Sequence, residues 1–310
     1  MPESKSKPES KSQEETLSAA RTGVFSLDNN EAYKRWRDEK LAAVSQQLDG
    51  LTIEIENPAS LSAAEQAKFA QCLSSTNLAI YKCKGASASK RDIQGLAAQL
   101  GLNQLDNNLC ADEDSITSLQ VKQTGHHGGY IPYSNKRLSW HTDGYYNPPE
   151  QTVRAIAMHC VRPAARGGEN SYLDPEILYI QLREREPLWI EALMRSDALT
   201  IPPNIEAGKE IRAKTKGSVF SVDDQGSLHM RYSARTRNIE WLDNEHIKQS
   251  TDFITDFLAS DSPYIFRYRL NENEGVISNN VLHNRTAFEE DEESKRLLYR
   301  ARFYQRANIG

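Results

Sequence analysis

The chain is poor in features that would mark other classes of protein: paired cysteines, long apolar runs and tracts of positive charge. Its four cysteines show no CxxC spacing, so the sequence predicts neither a zinc site nor a disulfide framework. No apolar run reaches the roughly 18 residues of a membrane span, and no apolar signal-peptide core stands near the first residue. The net charge of −5, without a basic tract, disfavours nucleic-acid binding. We therefore expect a cytoplasmic protein with no membrane or nucleic-acid partner.

What the chain does contain suits a globular protein with a polar surface. Apolar residues make up 38% of the 310 positions and charged residues 26%, and this length is sufficient for one large domain. In residues 1–20 the segment Pro-Glu-Ser-Lys-Ser occurs twice, with almost nothing that could be buried. We expect a disordered tail there and a single domain over residues 21–310.

The N-terminal part of the domain, about residues 29–101, is predicted to be mainly helical. A capping box at Ser62 and Glu65 indicates the start of one helix, and Gly101 indicates the end of another. Between the helices, the apolar alternation over residues 51–55 is typical of a half-buried strand.

The rest of the domain, about residues 116–306, is predicted to be rich in strands. The predicted strands are 118–123, 153–161, 219–222, 228–232, 264–270, 275–282 and 296–304. Helical insertions are expected from Asp174-Pro175, with a continuation at Pro187, and over about 244–258. We expect a mainly β fold with flanking helices, in the α+β class, with a double-stranded β-helix (jelly-roll) core.

His141 and Asp143 lie two apart on a predicted extended segment, so their side chains point to the same face. A further histidine, His283, follows 283 − 141 = 142 residues later. Two imidazoles and a carboxylate on one face of a metal leave the opposite positions open, which is the ligand set of non-haem Fe(II) oxygenases. A metal-binding jelly roll without catalysis and a zinc hydrolase are the alternatives from other classes.

Four motifs in order resemble the taurine dioxygenase (TauD/TfdA) family, to which gamma-butyrobetaine hydroxylase and clavaminate synthase are related. They are His141-Thr142-Asp143, Gly-Gly-Glu-Asn at 167–170, Val-Leu-His-Asn-Arg at 281–285 and Arg-Leu-Leu-Tyr-Arg at 296–300. The resemblance covers about residues 116–306 and, more faintly, the chain from about residue 25. It implies Fe(II) held by His141, Asp143 and His283, with 2-oxoglutarate and O2 as cosubstrates. The implied reaction hydroxylates an unactivated C–H bond and releases succinate and CO2.

The same resemblance implies roles for two arginines and an asparagine. Arg296 would bind the far carboxylate of 2-oxoglutarate through its planar fork, and Asn170, where the family has threonine, would add a hydrogen bond. Asn170 could instead be only a turn residue. Arg300 shares a strand face with Arg296 and would contact the substrate, which implies a carboxylate or sulfonate anion. An ion pair between Arg300 and the acidic run 289–293 is the alternative.

Further candidates for substrate contact lie near the proximal motif. Tyr145 and Tyr146 follow it directly, and His127 belongs to a loop before it that could act as a lid. The basic segment 231–237 is either a solvated strand edge or a mouth that attracts anions. The intact Asp143 argues against halogenation, but it does not separate hydroxylation from desaturation or oxidative cleavage. The resemblance is also compatible with a homo-oligomer.

Overall fold

A computed structural model describes residues 23–44, 48–85, 87–106, 115–121, 131–237 and 239–308. The expected disordered tail and His127 lie outside these residues. The helices are α1 (Asn30–Ala43), α2 (Ala63–Thr76), α3 (Lys90–Gln99), α4 (Pro175–Arg185), α5 (Pro187–Leu193) and α6 (Glu245–Ala259). Short 3-10 turns occupy Leu48–Leu51, Ile131–Tyr133 and Pro149–Gln151.

Many short strands make up the rest of the described fold. They are β1 (Thr52–Ile55), β2 (Leu78–Cys83), β3 (Thr117–Leu119), β4 (Leu138–His141), β5 (Ala155–Arg162), β6 (Arg166–Gly167), β7 (Asn170–Leu173), β8 (Leu199–Ile201), β9 (Asn204–Glu206), β10 (Lys209–Arg212), β11 (Thr215–Gly217), β12 (Phe220–Val222), β13 (Leu228–Met230), β14 (Glu240–Trp241), β15 (Phe266–Tyr268), β16 (Glu274–Ser278), β17 (Leu282–Arg285), β18 (Phe288–Glu289) and β19 (Leu297–Phe303).

Two sheets form the centre of the molecule. The larger has six strands in the order β1-β2-β16-β5-β19-β3, and the smaller has four in the order β15-β7-β17-β4. Only β1 and β2 pair in parallel; the other pairs in these sheets are antiparallel. One buried cluster contains Tyr172 and Phe266 of the smaller sheet together with Ala157 and Leu298 of the larger. The main core therefore lies where the two sheets meet.

A second buried cluster covers the helical insertion. It joins α4, α5 and α6 to β12, β13 and the segment before α1. Helix α4 begins as predicted, because the Asp174 carboxylate accepts a hydrogen bond from the N–H of Glu176 and Pro175 occupies the first turn. Helix α6 buries Ile247, Ile254 and Leu258 against this cluster. Among the described helices, none is long and apolar enough to cross a membrane.

The prediction of one strand over residues 275–282 was wrong. Strand β16 ends at Ser278 in the larger sheet, and β17 begins at Leu282 in the smaller one. Between them Asn280 has φ +51°, a left-handed conformation that breaks the extended backbone. The apolar pattern continues across this turn, since both strands are buried, so periodicity alone could not reveal the break.

Strands in the insertion were also missed. The paired strands β8, β9, β10, β11 and β14 are each two to four residues long. Segments this short carry too little alternation to be recognised from sequence. The capping box at Ser62 and Glu65 is present as predicted.

Candidate active site

Strands β4 and β17 bring the two histidines of the proposed ligand set together. His141 ends β4 and is paired directly with His283 of β17, and the centroids of the two rings are 4.3 Å apart. Asp143 follows β4 in a turn. One ligand atom from each of the three side chains lies within 4.8 Å of the others, and all three residues are buried. The pairing of β4 with β17 thus brings together two histidines that are 142 residues apart in sequence.

Hydrogen bonds orient both imidazoles. Nδ1 of His141 lies 2.9 Å from the carbonyl of Ser139, and Nδ1 of His283 lies 2.9 Å from the carbonyl of Val281. Since a carbonyl can only accept, each Nδ1 carries the proton and each Nε2 keeps its lone pair free for a metal. Burial, together with the neighbouring His141, lowers the pKa of His283 to about 4, so its imidazole is neutral.

The carboxylate of Asp143 also fits a metal. Burial alone would raise its pKa, but the nearby Arg300 guanidinium lowers it well below the usual value, so the group is ionised. Among the described residues its Oδ2 accepts no hydrogen bond, although the atom is buried. Nη1 of Arg300 lies 3.2 Å from this oxygen as an ion-pair partner, and a metal cation held together with the two Nε2 atoms would be a further one.

The turn that carries Asp143 is fixed from several sides. Thr142 donates its N–H to the carbonyl of Tyr232, whose own N–H donates to Thr142 Oγ1, at 3.0 and 3.1 Å. Asp143 makes a similar reciprocal pair with the side chain of Asn280. Gly144 has φ +69°, and a Cβ there would lie 2.5 Å from a methyl carbon of Val153. Only glycine therefore allows the chain to turn this closely after Asp143.

A small cavity in the described part of the fold is lined by Arg296. Asn170, Gly168, Cys160 and Leu298 line the same cavity. Arg296 is 6% exposed, and no oxygen of the described residues accepts a hydrogen bond from its guanidinium. Burial lowers its pKa to about 10, which still leaves it a cation at neutral pH. A buried cation without an anionic partner is costly, so the cavity is suited to a carboxylate.

Close packing around this cavity explains the Gly-Gly motif. It also brings Phe288, which the sequence analysis did not single out, next to Arg296. Strand β6 pairs with β18, and a Cβ on Gly167 would lie 2.3 Å from the carbonyl oxygen of Ala287. This approach places the Phe288 ring 4.9 Å from the guanidinium carbon of Arg296 and 4.7 Å from that of Arg285. Arg285 is anchored by the carbonyl of Ser134 at 2.9 Å.

The profile of the family described as "Taurine catabolism dioxygenase TauD, TfdA family" matches residues 37–302 of this sequence. The chain belongs to this family. The resemblance read from the motifs is thereby confirmed, and so is the dependence on Fe(II) and 2-oxoglutarate that goes with this family of dioxygenases.

Similar proteins include two named uridine-5'-phosphate dioxygenases. That of an Amycolatopsis species is 27% identical over 191 residues, or 60% of this chain and 66% of the relative. That of a Streptomyces species is 27% identical over 200 residues, or 62% of this chain and 71% of the relative. The first alignment therefore spans just under two thirds of that relative's length.

Solved structures of low sequence identity share the fold. An asparagine oxygenase in complex with Fe(II), hydroxyasparagine and succinate has a TM-score of 0.52 and 12% identity, covering 82% of this chain and 93% of its own. The non-haem iron oxygenase OrfP in complex with Fe and alpha-ketoglutaric acid has a TM-score of 0.57 and 13% identity, covering 79% and 81%. These likenesses confirm the predicted jelly-roll architecture with flanking helices.

Arg300, which was predicted to contact the substrate, directly contacts Asp143 of the triad. Its Nη1 is 3.3 Å from Oδ1 and 3.2 Å from Oδ2 of Asp143, and the residue is buried. It does not pair with the acidic run 289–293; there, Glu290 accepts from the backbone N–H of Arg296 instead. Within the described residues, the Nε of Arg300 has no hydrogen-bond partner. This buried nitrogen is therefore a donor that no described residue satisfies.

The two predicted tyrosines stand beside the triad. The ring of Tyr145 is 6.5 Å from that of His141 and 5.2 Å from that of Tyr146. Arg302, which the sequence analysis did not single out, donates to Tyr146 Oη at 2.8 Å and to the carboxylate of Asp106. Arg302 is on the same strand as Arg300, two residues further along, and alternation could have pointed to it.

The basic segment 231–237 was predicted to be either a solvated strand edge or a mouth that attracts anions, and its arginines differ in their surroundings. Arg231 is half-buried and donates to the carbonyls of Tyr145 and Leu199 at 2.7 and 2.9 Å, so it supports the backbone. Arg235 is exposed, with Nη1 3.4 Å from Tyr145 Oη, at the edge of the site. Arg231 is therefore a structural residue, whereas Arg235 stays a candidate for attracting an anion.

Proposed function

We propose that this protein hydroxylates an unactivated C–H bond of a small anionic substrate, with conversion of 2-oxoglutarate to succinate and CO2. His141, Asp143 and His283 would hold Fe(II), and Arg296 would hold the far carboxylate of 2-oxoglutarate. The observation that carries the proposal is a buried triad of two imidazoles and an ionised carboxylate, in a fold that also buries Arg296 with no acceptor for its guanidinium among the described residues. A structural metal site has no need of that arginine, and neither does a zinc hydrolase.

The protein's own residues would bind the metal and the cosubstrate, orient the metal ligands and exclude water from the site. Bound iron and 2-oxoglutarate supply the oxidation of the C–H bond. The carbonyls of Ser139 and Val281 hold the two imidazoles in the metal-binding tautomer. Arg300 keeps the Asp143 carboxylate ionised and in place. Because each of these side chains is buried, little water reaches the ligand atoms.

An anionic substrate is supported by two cations near the triad. Arg300 retains an unpaired Nε, and Arg235 lies at Tyr145. Two relatives are named for uridine-5'-phosphate, a phosphate ester, and the solved structures include complexes with hydroxylated asparagine and arginine. We propose a carboxylate, sulfonate or phosphate as the anion, with Arg300, Tyr145 and Tyr146 as its nearest contacts.

Anaerobic titration with Fe(II) and 2-oxoglutarate tests the proposal. A visible metal-to-ligand charge-transfer band is expected in the intact protein and not in His141→Ala. His246→Ala is the matched control, because His246 lies on α6 outside the triad, and its band should be retained. Absence of the band in the intact protein would overturn the proposed iron site.

Substrate class and reaction outcome need a second measurement. Succinate release is followed across carboxylates, sulfonates, amino acids and nucleoside monophosphates, with the product of each active compound analysed by mass. A gain of one oxygen atom supports hydroxylation. Loss of two hydrogens would instead assign desaturation, and smaller fragments would assign oxidative cleavage.

A further inference from the structure

Asn280 occupies the turn between β16 and β17 and is buried, at 1% exposure. Its φ of +51° is rare for a residue with a side chain, and asparagine tolerates it better than most. The side chain of Asn280 makes hydrogen bonds with two backbone segments. Its Oδ1 accepts from the N–H of Asp143 at 2.8 Å, and its Nδ2 donates to the carbonyls of Asp143 at 2.9 Å and Val153 at 2.6 Å.

These bonds join the two ligand-bearing segments. Asn280 precedes His283 by 283 − 280 = 3 residues, and Asp143 is 137 residues away along the chain. Both backbone polar groups of Asp143 are held by the one amide, so the carboxylate-bearing residue cannot shift relative to the β17 segment without breaking both bonds. In a buried site such bonds do not exchange with water, which makes the constraint strong.

We propose that Asn280 is a positioning residue that sets the metal affinity of the triad by fixing Asp143 relative to His283. This inference rests on the proposed iron site. The amide group is required because it offers a donor and an acceptor on one short side chain. An aspartate at this position would keep the turn and the acceptor, but it could not donate to the carbonyls of Asp143 and Val153.

Asn273 provides a matched control for a merely structural role. It also has a left-handed backbone, at φ +63°. Its side chain accepts from the N–H of Ala88 at 3.3 Å and donates to the carbonyl of Gly85 at 3.2 Å. Asn273 thus ties two segments together much as Asn280 does, but it touches no ligand of the triad.

The test compares Asn280→Gly, Asn280→Asp and Asn273→Gly. Glycine retains the positive φ and removes the amide, whereas aspartate keeps the size and removes the donors. The dissociation constant of Co(II), used as an air-stable substitute for Fe(II), is measured by its visible absorption without 2-oxoglutarate. Thermal unfolding of the metal-free variants is recorded in parallel.

We expect both Asn280 variants to bind Co(II) about 10–100-fold more weakly, the usual effect of losing a residue that orients a metal ligand. Asn273→Gly should lower the unfolding temperature and leave the Co(II) constant within about 2-fold of the parent. Should Asn280→Gly not fold, the near-isosteric Asn280→Asp decides alone. Unchanged Co(II) affinity in a folded Asn280 variant would overturn the inference. Equal Co(II) binding by His141→Ala and the parent would instead overturn the iron site on which the inference rests.

Discussion

Arg296 and Arg269 line the same small cavity, but their guanidinium groups are in different surroundings. Arg269 is exposed and donates to the carbonyl of Ala164, so its charge is already solvated and partnered. Arg296 is buried beside the Phe288 ring, and no described oxygen accepts from its guanidinium. At the residue scale, this difference identifies which arginine is prepared to bind an added carboxylate.

Substitution of these two arginines tests that distinction. We expect Arg296→Ala to raise the dissociation constant of 2-oxoglutarate about 10–100-fold, since hydrogen bonds to a charged group contribute about 1.5–3 kcal/mol. Arg269→Ala should change it by less than about 3-fold, because its exposed charge is screened by water. Calorimetric titration of 2-oxoglutarate into the Co(II)-loaded protein measures both. The reverse pattern would assign the carboxylate to Arg269.

His159 is a core histidine and does not belong to the candidate metal site. It is fully buried on β5, and its ring is stacked on Tyr81 at 5.8 Å. Burial lowers its pKa to about 4, whereas an unfolded histidine has a pKa of about 6.5. The native protein therefore keeps this imidazole neutral at a pH where the unfolded chain is already protonated.

Stability should consequently depend on pH through His159. Its contribution to the free energy of unfolding is complete above about pH 6.5 and is lost as the pH falls towards about 4, because the unfolded state binds the extra proton. We expect His159→Phe to reduce the slope in this window by up to about 1.4 kcal/mol per pH unit. Urea unfolding at several pH values measures the slope. The control variant Tyr81→Phe retains the His159 imidazole, so the slope of the unfolding free energy with pH should be unchanged.

At the element scale, helix α1 is tied to the insertion by a buried ion cluster. Nζ of Lys40 lies 2.6 Å from the carboxylate of Asp174 and 2.5 Å from that of Glu176. Asp174 also caps α4 and accepts from the side chain of Asn77 at 3.0 Å. Burial removes water from these charged groups, and the desolvation cost of each charge is offset by its ion-pair partners.

Removing the cation should therefore destabilise the fold strongly. We expect Lys40→Met to lower the free energy of unfolding by about 3–5 kcal/mol, because two carboxylates are left without their buried partner. Lys34→Met on the same helix is the control: Lys34 is half exposed and 3.9 Å from Glu31, and such a pair contributes at most about 1 kcal/mol. Chemical unfolding compares the two. Similar losses in both variants would contradict the role of the buried cluster.

On the scale of the whole molecule, the proposed site lies between the two sheets. His141 and His283 belong to the smaller sheet and Asp143 to the turn after it, whereas Arg296 directly precedes β19 of the larger sheet. A cosubstrate bound by both groups would link the sheets on either side of the core. Its binding energy would then add to the stability of the whole fold.

Thermal unfolding can measure this link. We expect Co(II) to raise the unfolding temperature and 2-oxoglutarate to raise it further. At 100 times its dissociation constant, 2-oxoglutarate should add up to about 2.7 kcal/mol to the free energy of unfolding. In Arg296→Ala the metal increment should remain and the 2-oxoglutarate increment should largely disappear. An undiminished 2-oxoglutarate increment in that variant would show that the cosubstrate does not depend on Arg296.

The sequence by itself determined the family, the fold class and the candidate ligands. Capping residues such as Ser62 and Asp174 determine local hydrogen bonds, and alternation reveals which strand faces are buried, so these features were predictable. The motifs around His141 and His283 were recognisable because the chemistry of a metal site restricts the residue types. The assignment of His127 stays a prediction outside the described residues.

Only the tertiary structure decided how these pieces act on one another. Arg300 meets Asp143 across 157 residues of chain, and Asn280 reaches it across 137. The break of the predicted strand at Asn280 and the Phe288 ring between Arg285 and Arg296 likewise depend on neighbours far away in sequence. Local propensity reports on residues within a few positions of each other, whereas a buried side chain takes its partners from whichever segments the fold brings beside it.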